Sequence, residues 1–168
     1  MILAGRFLSP FTRRVAITLK LLGLRFEHRP YGTIPDADKI REMNPLGRVP
    51  ALVLDGGETL IESSAILDYL DELAGPERAL TPPRGTERRE ALRAIGLALG
   101  VMEKAIAAHY ERTRRPEDKR WEAWMEKFDG QTRDGLAALE AGLDGREWWS
   151  TETFSMPIRR SKWPCNPT

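Results

Sequence analysis

The sequence has one cysteine, Cys165, and two histidines, His28 and His109, among 168 residues. An internal disulfide is excluded, and no Cys/His cluster offers the ligand spacing of a zinc site, so no metal is expected. Charge of one sign is missing too: 26 Lys and Arg stand against 25 Asp and Glu, a formal charge of +1. That balance excludes a strongly basic nucleic-acid module and an acidic tail protein. Long apolar runs are also absent. The longest covers the nine residues 94–102, whereas a membrane-spanning helix needs about 20. At the N-terminus Met1-Ile2-Leu3-Ala4 is cut off by Gly5-Arg6, too short for the apolar core of a secretory signal. No membrane or nucleic-acid partner is expected, and the expected location is the cytoplasm.

What is present is a hydrophobic fraction of 41%, enough for a packed core, which rules out disorder of the whole chain. Met1-Ile2-Leu3-Ala4 reads as a strand, and Ser9-Pro10 supplies a cap and a first-turn proline for a helix. Val15, Leu19 and Leu22 recur at helical spacing, and Gly23 is placed to end the stripe. Phe26-Glu27-His28-Arg29 suggests a second strand, parallel to the first through a βαβ crossover. Asp36 is placed to cap a short helix to Met43, and Asn44-Pro45-Leu46-Gly47 is turn chemistry. Pro50-Ala51-Leu52-Val53-Leu54 and Thr59-Leu60-Ile61, joined by Asp55-Gly56-Gly57-Glu58, predict a hairpin. Ser63 or Ser64 is expected to cap a helix burying Ile66, Leu67, Leu70 and Leu73. The predicted order is βαβ-α-ββα over residues 1–74.

Residues 75–85 contain Pro76, Pro82, Pro83 and two glycines and read as a linker. Beyond it Leu92, Ile95, Leu99, Met102 and Ile106 form one stripe, and Trp121, Trp124, Phe128, Leu136, Leu139 and Leu143 another. They predict two long antiparallel helices within residues 86–149, separated by Arg114-Arg115-Pro116. Residues 150–168 hold three prolines, the pair Arg159-Arg160 and no periodic stripe, and receive no structural assignment.

Three segments carry a family resemblance: Ser9-Pro10-Phe11-Thr12-Arg13-Arg14-Val15, Asn44-Pro45-Leu46-Gly47-Arg48-Val49-Pro50-Ala51-Leu52, and Leu60-Ile61-Glu62-Ser63-Ser64-Ala65-Ile66. In order and spacing they resemble the glutathione S-transferase family, bacterial and serine-type, over residues 1–149. The resemblance implies a thioredoxin-like α/β N-terminal domain over residues 1–74, followed by an incomplete all-α C-terminal domain over 86–149. It implies glutathione as co-substrate, a small hydrophobic electrophile as second substrate, and a homodimer.

Conjugation requires the thiolate, because the neutral thiol is a poor nucleophile. A thiol of pKa about 8.5 is about 3% ionised at pH 7; lowering it two units, about 2.7 kcal/mol, ionises about 75%. One hydroxyl donor, the N-terminus of a helix and partial exclusion of water together supply such an effect. By residue type Ser9 reads as a plain helix cap, and by the resemblance its hydroxyl stabilises the glutathione thiolate. Cysteine at Ser9 or Thr12 would suit disulfide exchange; both positions lack sulfur, which disfavours reductase chemistry. Phe11 is expected to shape the pocket wall or to pack under the helix.

The Val49-Pro50 pair opens a strand, where proline signals an edge, a bulge or a cis bond. The resemblance implies a cis bond, with the main chain of Val49 pairing with the cysteinyl part of glutathione. It assigns Ser63 to the γ-glutamyl carboxylate and Glu62 to the ammonium group. Arg13, Lys39, Arg41 and Arg48 are candidates for the glycyl carboxylate, and Tyr110 for the electrophile pocket. His28, His109 and the tryptophans read as ordinary strand, helix and packing residues.

The resemblance weakens at the C-terminal end, where Thr153-Phe154-Ser155-Met156 approaches a helix-capping box that Pro157-Ile158-Arg159-Arg160 breaks. A one-base shift permits Ala-Asp-Thr-Ala-Val-Glu-Val-Ala-Leu in place of residues 157–165, so the tail is expected to be a frameshift product. The helical domain is then truncated, leaving apolar surface wet at about 25 cal/mol per Å², and low stability is expected. The alternative function is a non-catalytic glutathione-binding or protein-interaction module.

Overall fold

A computed structural model describes residues 1–143. Its elements are β1 Ile2–Ala4, α1 Pro10–Leu21, β2 Glu27–Arg29, α2 Ala37–Met43, β3 Ala51–Val53, β4 Thr59–Ile61, α3 Ser63–Ala74, α4 Gly85–Arg114 and α5 Glu122–Leu143. A single 3-10 turn, Glu117–Lys119, lies between α4 and α5. Residues 1–83 and 84 onward form two compact units. The expectations for Trp148, Trp149 and residues 150–168 lie outside the described residues.

In the first unit the strands take the order β2-β1-β3-β4. β1 and β2 are parallel, while β1/β3 and β3/β4 are antiparallel. Consecutive strand residues point to opposite faces. Leu3 and Ala4 on β1 and Ala51 and Leu52 on β3 are all fully buried, so both faces of the central strands are covered. This is the thioredoxin-like βαβ-α-ββα arrangement. Val15 and Leu19 of α1, Ile40 of α2, and Ile66 and Leu70 of α3 supply the rest of the core.

Local chemistry sets the boundaries. The Ser9 hydroxyl accepts from Thr12 N–H at 3.3 Å, and Pro10 occupies the first turn of α1. The helix ends where Gly23, at φ +68°, donates to Lys20 C=O and Leu24 donates to Leu19 C=O. This is the paired closure that a left-handed glycine permits.

Four expectations need correction. Residue 62, not Ser63 or Ser64, caps α3: Glu62 adopts φ +70° and its carboxylate accepts from Ser64 N–H at 2.9 Å. The longer carboxylate reaches an amide that the reversal from β4 would otherwise leave unpaired. Asp36 stands at the cap position of α2 but bonds backward, its Oδ2 accepting from Gly32 N–H at 2.9 Å. Leu73 is half exposed rather than part of the α3 core face. Within the expected linker 75–85 the chain is anchored rather than unpacked, because Leu80 is buried and Asp71 accepts from the N–H groups of Leu80 and Thr81 at 2.8 and 3.1 Å.

In the second unit Arg112 pairs with Asp129, and Val101 faces Gly135, so α4 and α5 run antiparallel. The packed seam differs from the predicted stripes. Ala91, Ala94 and Ala108 of α4 and Met125, Gly135, Leu139 and Leu143 of α5 are buried, while Leu92, Trp121 and Leu136 are exposed. A Cβ at Gly135 would clash with Val101 Cγ2. Gly135 lets the two backbones approach at Val101, while Leu139 and Leu143 of the predicted stripe are buried as expected. No described helix is long and apolar enough to cross a membrane.

Candidate functional site

Three chain junctions meet at one end of the sheet. Ala4 lies opposite Ala51 in the β1/β3 ladder, and Ala51 lies opposite Ile61 in the β3/β4 ladder. Both ladders are antiparallel, so the exit of β1, the entry of β3 and the exit of β4 fall side by side. With strands about 4.8 Å apart the row spans about 10 Å, the length of an extended tripeptide. Ser9 follows the first of these positions, Val49 and Pro50 precede the second, and Glu62 and Ser63 follow the third.

At the first junction Ser9 is half-buried, and its bond from Thr12 N–H uses an oxygen lone pair. The hydroxyl hydrogen is left to donate. The N-terminus of α1 adds the positive end of a 12-residue helix dipole beside it. Phe11 is half-buried in the first turn.

At the second junction the Val49–Pro50 bond is cis and Pro50 is buried. Asn44 organises the turn leading to it. Its Oδ1 accepts from Leu46 N–H at 3.0 Å, and its Nδ2 donates to Arg48 C=O at 2.8 Å. Asn44 is 2% exposed, so sequence reasoning that saw only turn chemistry missed a buried organiser. The Arg48 side chain is exposed. Gly5, at φ +131°, locks the first two junctions together. A Cβ there would meet Thr12 Oγ1 at 2.5 Å and Val49 Cβ at 2.9 Å. The buried Thr12 Oγ1 has no hydrogen-bond partner among the described residues.

At the third junction Ser63 Oγ donates to Glu62 Oε1 at 3.3 Å, and Ser63 is 1% exposed. Arg14, which sequence reasoning passed over, reaches across from α1. Its Nη1 donates to Ser63 Oγ at 3.3 Å and to Ser64 Oγ at 3.4 Å. Burial lowers the Arg14 pKa from its ordinary value, and the negative charge of Glu62 opposes that shift. Nothing in its own segment marks Arg14, because its partners Ser63 and Ser64 lie on α3.

The structure therefore places Ser9, Val49 and Pro50, and Glu62 and Ser63 at three junctions of one edge, with Phe11 in the first turn of α1. Lys39 and Arg41 are engaged locally, Lys39 with Asp36 at 3.6 Å and over the Tyr31 ring, Arg41 with Asp38 at 3.3 Å. Arg13 is exposed on α1. Tyr110 belongs to the second unit, where it is 46% exposed and carries the Arg114 guanidinium over its ring at 5.2 Å.

Comparison with known proteins agrees with this architecture. The family described as glutathione S-transferase, N-terminal domain, matches residues 3–78. The chain is 33% identical to the maleylacetoacetate isomerase of Pseudomonas aeruginosa, over 83% of its own length and 68% of the relative's. Its fold matches a glutathione S-transferase of Methylobacterium radiotolerans solved in complex with glutathione sulfonate. The TM-score is 0.85 and the identity 31%, over 92% of this chain and 72% of that one. A glutathione transferase family member of Pseudomonas fluorescens Pf-5 with bound glutathione gives a TM-score of 0.75 and 33% identity, over 83% of this chain and 70% of that one. Sequence segments, sheet topology and these likenesses converge, and the chain belongs to the glutathione S-transferase family.

Proposed function

We propose that this chain binds reduced glutathione along the row Ala4, Ala51, Ile61 and promotes attack of its thiolate on a small hydrophobic electrophile. The observation that carries the reading is the meeting of three junctions on a single edge of tripeptide length. Ser9 donates its hydroxyl hydrogen to the sulfur while its oxygen continues to cap α1, so capping and thiolate stabilisation coexist in one side chain. The main chain of Val49 pairs with the cysteinyl residue. Ser63 and the α3 N-terminus receive the γ-glutamyl carboxylate, with Arg14 adding positive charge behind them. Glu62 takes the ammonium group. Phe11 and Arg48 are assigned to the remaining glutathione contacts, and a cytoplasmic homodimer belongs to the same proposal.

Calorimetric titration with reduced glutathione reads binding, and conjugation of an activated aryl halide reads turnover. Maleylacetoacetate is the second substrate to assay, because the Pseudomonas aeruginosa relative is named for its isomerisation. Ser9→Ala should keep glutathione binding and reduce turnover at pH 7 by up to about 25-fold, the ratio of thiolate fractions across a two-unit pKa change, the α1 N-terminus retaining its share. Unchanged turnover would remove Ser9 from the mechanism. Binding without turnover in the unaltered chain would instead identify a non-catalytic glutathione-binding module.

A further inference from the structure

The turn that presents Ser9 is tied to the end of β2, the edge strand, at three consecutive residues. Gly5 N–H donates to Arg29 C=O at 2.9 Å, and Gly5 C=O faces His28 Nε2 at 2.8 Å. Arg6 Nε donates to Pro30 C=O at 3.4 Å, and the Phe7 ring stacks on the His28 imidazole, with centroids 3.9 Å apart and planes within 4°. The turn is then closed by Ser9 N–H donating to Arg6 C=O at 3.0 Å. His28 supplies two of these ties, one to the backbone and one to a side chain. A carbonyl can only accept, so the Nε2 contact requires that nitrogen to carry hydrogen. On its other side a Cβ at Gly5 would meet Thr12 and Val49, so the turn accepts only glycine there.

We infer that His28 is a positioning residue for the glutathione thiolate, its imidazole clamping Gly5 and Phe7 so that the Ser9 hydroxyl is held at the sulfur. This rests on the reading of Ser9 above. The clamp acts through placement, since His28 bonds to the loop and reaches Ser9 only through it. A hydroxyl displaced by about 1 Å loses much of its effect on a reacting atom. An ordinary strand residue would leave the bound thiol indifferent to its removal.

The test is a pH titration of the thiolate absorbance of bound glutathione in the full chain, with calorimetry of S-methylglutathione alongside. S-methylglutathione has no thiol to ionise and reports the integrity of the rest of the site. His28→Ala should raise the bound thiol pKa by about one unit, a tenfold change in the thiolate ratio, with S-methylglutathione affinity unchanged. His28→Gln, whose amide restores a donor to Gly5 C=O, should bring the pKa back toward that of the unaltered chain. A wild-type pKa in His28→Ala, with a raised one in Ser9→Ala, overturns the clamp and leaves the Ser9 reading standing. No rise in Ser9→Ala, or no glutathione binding, overturns the Ser9 reading and the clamp with it. Should His28→Ala fail to fold, the imidazole tautomer of the unaltered chain decides by nitrogen NMR. Nε2–H supports the clamp, and Nδ1–H alone overturns it.

Discussion

Arg14 and Ser63 stand 49 positions apart in the chain, yet the guanidinium of the first donates to the hydroxyl of the second at 3.3 Å. The bond joins α1 to the first residue of α3 and sets a positive charge behind the helix N-terminus proposed to hold a carboxylate. It also places one cation where two separate segments of the family pattern meet.

Replacing Arg14 by glutamine is therefore expected to weaken glutathione binding. The guanidinium acts on the carboxylate through its charge, one hydroxyl away, and an opposite charge at about 6 Å in a partly screened site contributes about 1–3 kcal/mol, so calorimetry should read a loss of affinity of about tenfold. Affinity equal to that of the unaltered chain would show that Arg14 serves only the α1/α3 contact.

Glu62→Gly separates stability from binding. The substitution removes a carboxylate cap, which costs only a few tenths of a kcal/mol when glycine replaces it. It also relieves a left-handed backbone that costs a non-glycine residue about 1–2 kcal/mol, here at φ +70°. Urea unfolding should show the protein unchanged or slightly more stable, while calorimetry shows weaker glutathione binding. Intact binding would take Glu62 out of the site.

Gly135→Ala should destabilise the α4/α5 pair by about 1–3 kcal/mol, the usual range for overpacking. The added carbon runs into Val101 Cγ2. Adding Val101→Ala should recover much of the loss, and a double-mutant cycle by denaturant unfolding measures the coupling. Additive effects of the two changes would mean that the helices separate rather than clash.

Asp36 provides a pH-dependent contribution. Its carboxyl is held below the ordinary value of 3.8 chiefly by the bond from Gly32 N–H; burial opposes this, and Lys39 assists. A folded pKa below the unfolded one means that the stabilisation is complete above that ordinary value and is lost as pH falls through the folded pKa. Asp36→Asn should therefore melt below the unaltered chain near neutral pH and converge with it in strong acid. A gap that persists in acid would point to lost geometry rather than lost charge.

Much of the first unit was legible from residue pattern. The cap at Ser9-Pro10, the stop at Gly23, the stripe Val15, Leu19 and Leu22, and the Asp55-Gly56-Gly57-Glu58 hairpin are local signals, decided within a few residues, and each appears in the fold. The segments holding Ser9, Val49, Pro50, Glu62 and Ser63 were recognised together because their order and spacing match a family pattern. Arg14 and His28 were not read as site residues. Their partners lie on other elements, and nothing adjacent in sequence distinguishes them from solvated neighbours.

By itself the sequence determined the succession of strands and helices, the apolar character of their faces, and which side chains stand at the strand-to-helix junctions. Periodicity measures direction around one element and contains no distance to another. Only tertiary structure decided that Gly135 rather than Leu136 meets α4, that Glu62 rather than a serine caps α3, and that Ala4, Ala51 and Ile61 share one edge. Close approach rewards the smallest side chain or the one with sufficient reach, and that choice exists only once two elements are packed together.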